Sequence, residues 1–197
     1  MSVSIVATAL QDVARFFEQA PDIAEQAAVL AINETVEREG LTLIKRDMRD
    51  QVNFPSGYLE GERLRVSRKA SRGNLEAVIR GRDRPTSLAR FAQGQTPANT
   101  RGRGVRVSVK RGSTEVLRKA FLVNLKNGNL GLAVRLKPGD KLRNSSAAQQ
   151  LADNVWLLYG PSVDQVFRGV ADDRADDLTE MISSKFNRQF GRLSRGR

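Results

Sequence analysis

AFLVNLKNGNLGLAVRL, residues 120–136, is the stretch that decides the fold class of this chain. Within it, two runs of alternating apolar residues lie on either side of Asn127-Gly128. An Asn-Gly pair between two such runs is a strong short-range signal for a β-hairpin, because both residues tolerate the backbone angles of a tight turn. The stretch therefore predicts two antiparallel strands in the middle of the chain.

Other segments around this hairpin also alternate with a period of two residues. Alternation in 64–67, followed after a turn by alternation in 75–79, predicts a second hairpin with one buried face. VRVSVK (105–110) shows the same pattern, and WLLYGPS (156–162) is an apolar strand that ends in a Gly-Pro turn. We therefore expect about five short strands in a β-rich part that covers 58–160.

Helical periodicity lies on both sides of the β-rich part. Apolar residues at helical spacing predict a first helix over Ile5–Gln19 and a second over Asp22–Arg49. Gly40 interrupts the second helix, and a bend or a close helix contact is expected there. A long amphipathic helix is predicted over 162–193, with a break expected near the acidic segment ADDRADD (171–177).

This order of elements predicts an α+β fold. Two N-terminal helices (1–50) precede an antiparallel sheet or small open barrel of about five strands, and a long C-terminal helix follows. A chain of 197 residues is expected to form a single domain, 1–197. No run of about 18 or more apolar residues occurs, so no membrane partner is expected.

The sequence contains neither histidine nor cysteine. This composition excludes thiol nucleophiles, disulfides, ordinary zinc sites and acid–base catalysis by histidine. A lysine- or carboxylate-based enzyme stays formally open, but no nucleophile stands beside a base at a recognisable spacing. We therefore expect no catalytic residues, no cofactor and no metal site, and a protein that is not an enzyme.

The net charge of +11 is concentrated in the middle of the chain. Glu62–Lys119 contains 16 Lys and Arg against four Asp and Glu, whereas the remaining residues contain 17 against 18. An electropositive region of this kind needs an anionic partner, which is either a nucleic-acid backbone or an acidic protein surface.

GRDRPTSLARF (81–91) opens a stretch without periodicity that extends to Gly104. A loop of about two dozen residues is usually functional or disordered. We interpret it as a strap that grips a neighbouring subunit and becomes ordered only in an assembly, because alone it has too little apolar area to offset its ordering entropy. Its arginines would pair with carboxylates and its apolar residues would act as anchors. The predicted subunit or partner interface consists of Arg82, Arg84, Pro85, Leu88, Arg90, Phe91, Asp172, Asp173, Asp176 and Asp177.

The acidic members of this set have two other interpretations. Asp172 with Asp176, and Asp173 with Asp177, are four residues apart and could hold a hard cation on a helix. Arg174 among them weakens a metal site and favours a solvated acidic face or a docking surface.

Contact with DNA is the alternative for the basic region. Aromatic residues make up only 6% of the chain, and Phe91 is the sole aromatic residue of the predicted loop. Recognition of a specific sequence is therefore not expected, because it usually requires exposed aromatics or a recognition helix. Contacts with phosphates that do not depend on sequence remain open for Arg101, Arg103, Arg106 and Lys110.

The motifs also resemble a known family when they are taken in order. NFPSGYL, RLRVSRKASRGNLEAVIRGRDRPTSLARF, GVRVSVKRG, KAFLVNLKNGNLGLAVR and LYGPSVDQVF together are similar to the minor tail protein Z family of long-tailed bacteriophages and their prophages. The resemblance extends from about Ala31 through the final helix, and it rests on the co-occurrence of these motifs.

The resemblance implies a structural protein of the virion, located in the tail or neck and assembled in the host cytoplasm. Members of the family complete the head-proximal end of the tail so that it can join the head. The resemblance further implies a ring oligomer, expected to be a hexamer, around the channel that DNA traverses. Its partners would be copies of itself, other tail and neck proteins such as the tail terminator and the tail tube, and the passing DNA. The alternative function is a basic protein that binds DNA without sequence specificity.

Overall fold

The computed structural model of this chain describes residues 3–6, 14–100, 102–142 and 147–195. Its contacts divide the chain into two compact units. Unit 1 contains Met1–Met48, Glu60–Arg82 and Asp164–Arg197, and unit 2 contains Arg49–Leu59 and Asp83–Val163. The organisation as one domain over 1–197 stays a prediction.

The described elements follow one another as short strands between longer helices. In the first half they are β1 (Val3–Val6), α1 (Ala14–Gln19), α2 (Pro21–Glu37), α3 (Glu39–Gln51), a 3-10 helix (Gly61–Arg63), β2 (Leu64–Arg68), β3 (Glu76–Gly81), β4 (Pro85–Ser87), a second 3-10 helix (Leu88–Phe91) and α4 (Pro97–Thr100). In the second half they are β5 (Val105–Val107), β6 (Glu115–Leu117), β7 (Ala120–Asn124), β8 (Leu130–Arg135), β9 (Ala148–Ala152), β10 (Val155–Ser162), α5 (Val163–Asp173) and α6 (Ala175–Arg195).

The hairpin predicted from 120–136 is confirmed, and it is formed by β7 and β8. Its last backbone pair is Leu125 with Asn129, where the Leu125 N–H donates to the Asn129 carbonyl at 2.8 Å. The Gly128 N–H donates to the Leu125 carbonyl at 2.9 Å, and Gly128 has a φ of 77°. The connection is therefore a three-residue loop in which glycine occupies the left-handed position.

The β7–β8 hairpin belongs to a five-stranded sheet in unit 2. The strand order is β4-β10-β8-β7, and β9 also pairs with β10. A separate two-stranded sheet is formed by β5 and β6. The strands in each of these pairs are antiparallel, so the predicted α+β class with an antiparallel sheet of about five strands is confirmed.

Unit 1 contains a three-stranded sheet in the order β1-β3-β2. Its β2–β3 hairpin was predicted, and Leu64 and Ile79 lie on its buried face. The first part of the helix predicted over Ile5–Gln19 is wrong, because Ile5 and Val6 belong to β1, which pairs antiparallel with β3. The β-branched residues of VSIV favour a strand where a partner edge is present. The helix itself is described over Ala14–Gln19, and 7–13 lie outside the described residues.

The long second helix that the sequence predicts is divided in two by Arg38. A Cβ placed on Gly40 would lie 2.8 Å from the Thr35 carbonyl oxygen and 2.9 Å from Leu178 Cδ2. The close helix contact expected at Gly40 is therefore confirmed. The break expected in the C-terminal helix is also confirmed, because α5 ends at Asp173 and α6 begins at Ala175.

The helices of unit 1 pack through small side chains. Helix α2 presents a stripe of four fully buried alanines to Phe186 of α6: Ala24, Ala27, Ala28 and Ala31. Small side chains allow the two helices to approach closely, so that the Phe186 ring fills the space between them. Phe16, Phe17 and Phe190 pack around this cluster and extend it.

Candidate functional site

The excess positive charge of the chain lies almost entirely in unit 2. Unit 2 contains 15 Lys and Arg against five Asp and Glu, whereas unit 1 contains 18 against 17. The basic range predicted from the sequence, Glu62–Lys119, is thus divided between the units, because residues 62–82 fold with unit 1. The electropositive surface is a property of the β-rich unit.

Unit 1 uses many of its charged side chains in internal ion pairs. Lys185, whose side chain is 5% exposed, places its ammonium 2.9 Å from Glu39 and 3.4 Å from Glu34. Arg174 Nε lies 2.5 Å from Asp47 Oδ2. Burial raises the pKa of Asp47, but hydrogen bonds from Arg174 and Arg46 outweigh burial and leave that pKa below its ordinary value. These charges stabilise unit 1 itself.

Unit 2 differs, because only a few of its exposed cations form ion pairs within the described part of the chain. Arg111 forms an ion pair with Asp50, and Lys119 Nζ lies 3.1 Å from Asp140 Oδ2. The exposed cations of unit 2 that form no ion pair within the described part of the chain include Arg84, Arg103, Arg106, Lys110, Arg118, Lys126, Arg135 and Lys141. These side chains are available to carboxylates or phosphates of another molecule.

The segment 81–104 is predicted as an irregular loop, but its described residues, 81–100 and 102–104, contain regular elements within the single chain. β4 pairs with β10 through Thr86 opposite Gly160, and Thr86 is fully buried. The 3-10 helix Leu88–Phe91 and the helix α4 follow. The expectation that this segment orders only in an assembly is therefore contradicted. Its elements are three or four residues long, which is too short to produce a recognisable sequence period.

The aromatic anchor of the predicted interface is used inside unit 2. Phe91 is 1% exposed, and its ring centroid lies 6.2 Å from that of Phe54. The Arg90 guanidinium lies over the ring of Tyr58 at 5.2 Å, and Arg90 as a whole residue is exposed. In this fold Phe91 is therefore not available to a neighbouring subunit, because its own core surrounds it.

The other predicted interface residues of the segment are more accessible. Arg84 and Pro85 are exposed, and Leu88 is half-buried. Arg82 is half-buried in unit 1, where its backbone N–H donates to the Arg63 carbonyl at 2.8 Å. Arg84, Pro85 and Arg90 thus remain the surface members of this set, and their role in an interface stays a prediction.

The segment also covers strand edges of unit 2, which the sequence did not indicate. Gln95 Oε1 accepts from the Arg106 N–H at 3.0 Å, and Gln95 Nε2 donates to the Arg106 carbonyl at 2.5 Å. The buried Thr100 Oγ1 accepts from the Leu122 N–H at 3.2 Å. These side chains satisfy backbone groups that would otherwise lie open at the edges of β5 and β7. No local sequence signal marks such long-range contacts.

The residues predicted to contact phosphates lie on the surface of unit 2 where they are described. Arg103 follows α4, Arg106 lies on β5, and Lys110 forms an isolated β-bridge with Val52. All of the named cations are exposed. Arg101 lies outside the described residues. Phosphate contact by this group stays a prediction.

The acidic segment lies at the break between α5 and α6. Asp172, Asp173 and Asp176 are exposed, whereas Asp177 pairs with Arg174 at 2.8 Å. The predicted spacing for a cation on one helix is interrupted, because α5 ends at Asp173. Within the described ranges, no three metal-ligating side chains of the acidic, cysteine or histidine type come together.

A polar cavity of about 500 Å³ lies between α3 and α6 in unit 1. Arg174, Lys185 and Arg188 line it together with Glu39 and Asp177. Each of these side chains takes part in an ion pair within unit 1. These five charges are therefore committed to the fold, unlike the unpaired cations of unit 2.

In the part of the chain that the structure describes, no helix has both the length and the hydrophobicity required to cross a membrane. Comparison with known proteins identifies no relative: no protein-family model matches, and neither the curated proteins nor the solved structures contain a significant match.

Proposed function

We propose that this chain is a non-enzymatic structural protein of a bacteriophage virion. It completes the head-proximal end of the tail and helps to join the tail to the head, as a hexameric ring around the DNA channel. The series of motifs in 53–167 supports the proposal through its resemblance to the minor tail protein Z family. The protein is assembled in the host cytoplasm and becomes part of the tail or neck.

The observation that carries the proposal is the segregation of charge. Unit 2 contains ten more basic than acidic residues, and its exposed cations include side chains without an ion pair among the described residues. Such a surface attracts anionic partners and is costly to leave unpaired in a dense assembly. A protein that joins other subunits beside a DNA channel meets both carboxylates and phosphates.

A ring requires two different surfaces on each copy, because each subunit contacts the next one head to tail. The exposed cations of unit 2 can provide one surface, and the exposed carboxylates Asp172, Asp173 and Asp176 can provide the other. The tail terminator and the tail tube are the remaining partners in this proposal. Arg84, Pro85 and Arg90 are the members of segment 81–104 placed to contribute to such contacts.

Native mass spectrometry of the purified chain tests the assembly. The chain is measured alone and with the tail tube and tail terminator proteins of the same phage. We expect a closed ring, either from the chain alone or after the tail proteins are added. A chain that stays monomeric or dimeric under all of these conditions would contradict the proposed ring.

A second candidate function is DNA binding without sequence specificity, which the exposed cations Arg103, Arg106 and Lys110 favour. Fluorescence anisotropy with a duplex of about 30 base pairs measures it, at salt concentrations from about 50 to 200 mM. Affinity that depends on phosphates should fall steeply over this range, because bound counterions are released. The Arg103→Glu, Arg106→Glu, Lys110→Glu triple variant should then bind much more weakly.

The matched control reverses cations of unit 1, namely Arg38, Arg72 and Arg80, which are also exposed. Both triple variants change the net charge equally. The unit 2 variant should therefore bind the duplex more weakly than the unit 1 variant only if the binding site lies in unit 2. Absence of duplex binding by the unmodified chain even at low salt would eliminate this alternative. DNA binding by a free dimer that never forms a ring would favour it over the virion role.

A further inference from the structure

The outer edges of the two strands in the β5–β6 sheet differ in their hydrogen bonding. On β5, the side chain of Gln95 bonds both backbone groups of Arg106. These groups therefore point away from β6. In an antiparallel pair, two residues that face each other turn their backbone groups either both inward or both outward. Val116 faces Arg106, so the N–H and carbonyl of Val116 also point outward, at the open edge of β6.

In the described part of the chain, no strand and no hydrogen-bonding group pairs with this edge of β6. Val116 has no hydrogen-bond partner there, and no further strand pairs with β6. The Val116 side chain is 52% exposed, and only Leu151 is also an exposed large hydrophobic residue among the described residues. An unpaired strand edge with an exposed aliphatic residue is a template for another strand.

An apolar groove of about 360 Å³ lies beside the open edge. Its wall is formed by aliphatic residues of β6, of the five-stranded sheet and of the segment that follows β8: Val116, Leu117, Ala120, Val134, Leu142 and Leu158. Leu117 lies opposite the buried Val105 in the β5–β6 pair, so the face of this sheet that carries Leu117 is the inner face. Alternate side chains of a strand added to β6 would project on the same side as Leu117 and enter the groove.

Two cations stand at the wall of this groove. Arg118 is exposed and forms no ion pair in the described part of the chain, whereas Lys119 pairs with Asp140. With the surplus of basic residues in unit 2, the unpaired Arg118 favours an occupant that carries carboxylates next to its apolar residues.

We propose that the open edge of β6 binds an extended acidic segment of another protein by strand addition. The segment bonds the N–H and carbonyl of Val116, inserts alternate aliphatic side chains into the groove and places an Asp or Glu against Arg118. Main-chain bonds supply affinity in this mode, and the groove and the cations supply selectivity. This peptide-binding site goes beyond the proposed virion role and does not depend on it.

Selection from a displayed library of random heptapeptides on the immobilised full-length chain tests this site. We expect the enriched peptides to share two aliphatic residues at positions i and i+2, with one residue between them, and at least one Asp or Glu. Their affinity is then measured by fluorescence anisotropy. Val116→Pro removes an outward N–H and the valine side chain but no hydrogen bond between β5 and β6, and an edge strand tolerates proline at such a position. It should weaken binding by about tenfold or more.

Two further changes separate the site from an effect on folding. Methylation of the peptide backbone nitrogen that bonds the Val116 carbonyl should weaken binding to the unmodified protein by about tenfold. Arg118→Glu should weaken binding most at low salt. Lys126→Glu is the matched control, because Lys126 is an exposed cation of unit 2 that does not line the groove, and it should bind the peptides nearly as the unmodified chain does.

Three outcomes would overturn the proposal. The selection yields no enriched peptide, or the enriched peptides bind the Val116→Pro and Arg118→Glu variants as tightly as the unmodified chain. The third is self-association of the chain that Val116→Pro abolishes, since the occupant of the edge would then be a second copy.

Discussion

The side-chain amide of Gln95 bonds both backbone groups of Arg106, donating to the carbonyl at 2.5 Å and accepting from the N–H at 3.0 Å. In this way one side chain takes the place of a neighbouring strand along the outer edge of β5. Segment 81–104 thus completes the sheets of unit 2 in addition to exposing Arg84 and Arg90. Its stability and its surface chemistry can be tested separately.

Gln95→Ala should lower the free energy of unfolding by about 1 kcal/mol, because water only partly replaces the two lost hydrogen bonds. Gln95→Glu should cost at least as much, since a carboxylate cannot donate to the Arg106 carbonyl. Urea unfolding measures both. Gln26→Ala is the control, because Gln26 is exposed on α2. Equal stability of the Gln95 and Gln26 variants would contradict the role of Gln95.

Two helical glycines should respond to alanine in opposite directions. A Cβ on Gly40 would lie 2.8 Å from the Thr35 carbonyl oxygen, so Gly40→Ala should destabilise unit 1 by about 1–3 kcal/mol. A Cβ on Gly169 in α5 would meet no atom within 4 Å. Gly169→Ala should therefore stabilise the protein by up to about 1 kcal/mol. Thermal unfolding of the two variants checks the prediction, and shifts of the same sign would refute it.

The stability of unit 1 should fall in acid through Glu34. A hydrogen bond from Arg188 lowers the pKa of Glu34, burial opposes this effect, and Lys185 lowers the pKa further, so that the pKa is below the ordinary 4.5. A lowered folded pKa contributes stability that is present above the unfolded pKa and is lost as the pH falls through the folded one. The melting temperature should therefore decrease below about pH 4.5.

Glu34→Gln should cost about 1–3 kcal/mol at neutral pH, since it removes a charged partner from the buried Lys185. The same variant should show a shallower decrease of melting temperature in acid than the unmodified chain. Glu115→Gln, on the exposed strand β6, is the control for the change of charge. A Glu34→Gln variant with an unchanged acid slope would be inconsistent with this assignment.

Replacing a cation should lower the free energy of unfolding more in unit 1 than in unit 2. Arg174→Gln should destabilise the protein by about 1–3 kcal/mol, because Arg174 bonds Asp47 and Asp177. Arg106→Gln should change stability by less than about 0.5 kcal/mol, because the Arg106 side chain is exposed and forms no ion pair with the described residues. Chemical denaturation distinguishes them. A large loss of stability with Arg106→Gln would place that cation within the fold.

Elements with a clear local period or turn signal could be predicted from the sequence. The β7–β8 hairpin, the β2–β3 hairpin and the break at Arg174 follow from alternation, from Asn127-Gly128 and from a cluster of acidic residues. In each case the deciding residues are neighbours in the chain.

Short elements that depend on distant partners could not be predicted in this way. β1 and β4 are four and three residues long, and each exists because another strand offers an edge. Likewise, Gln95 and Thr100 gain their roles only from backbone groups that lie 11 and 22 residues away. Local patterns contain no information about such partners.

The sequence by itself determined the α+β class, the absence of histidine and cysteine chemistry, and the presence of many cations near the middle of the chain. Only the tertiary structure decided which cations fold into the same unit. It joined 60–82 to the helical unit and left most of the surplus charge on the β-rich unit. The physical reason is that a unit is defined by packing between segments distant in sequence, whereas charge is read residue by residue along the chain.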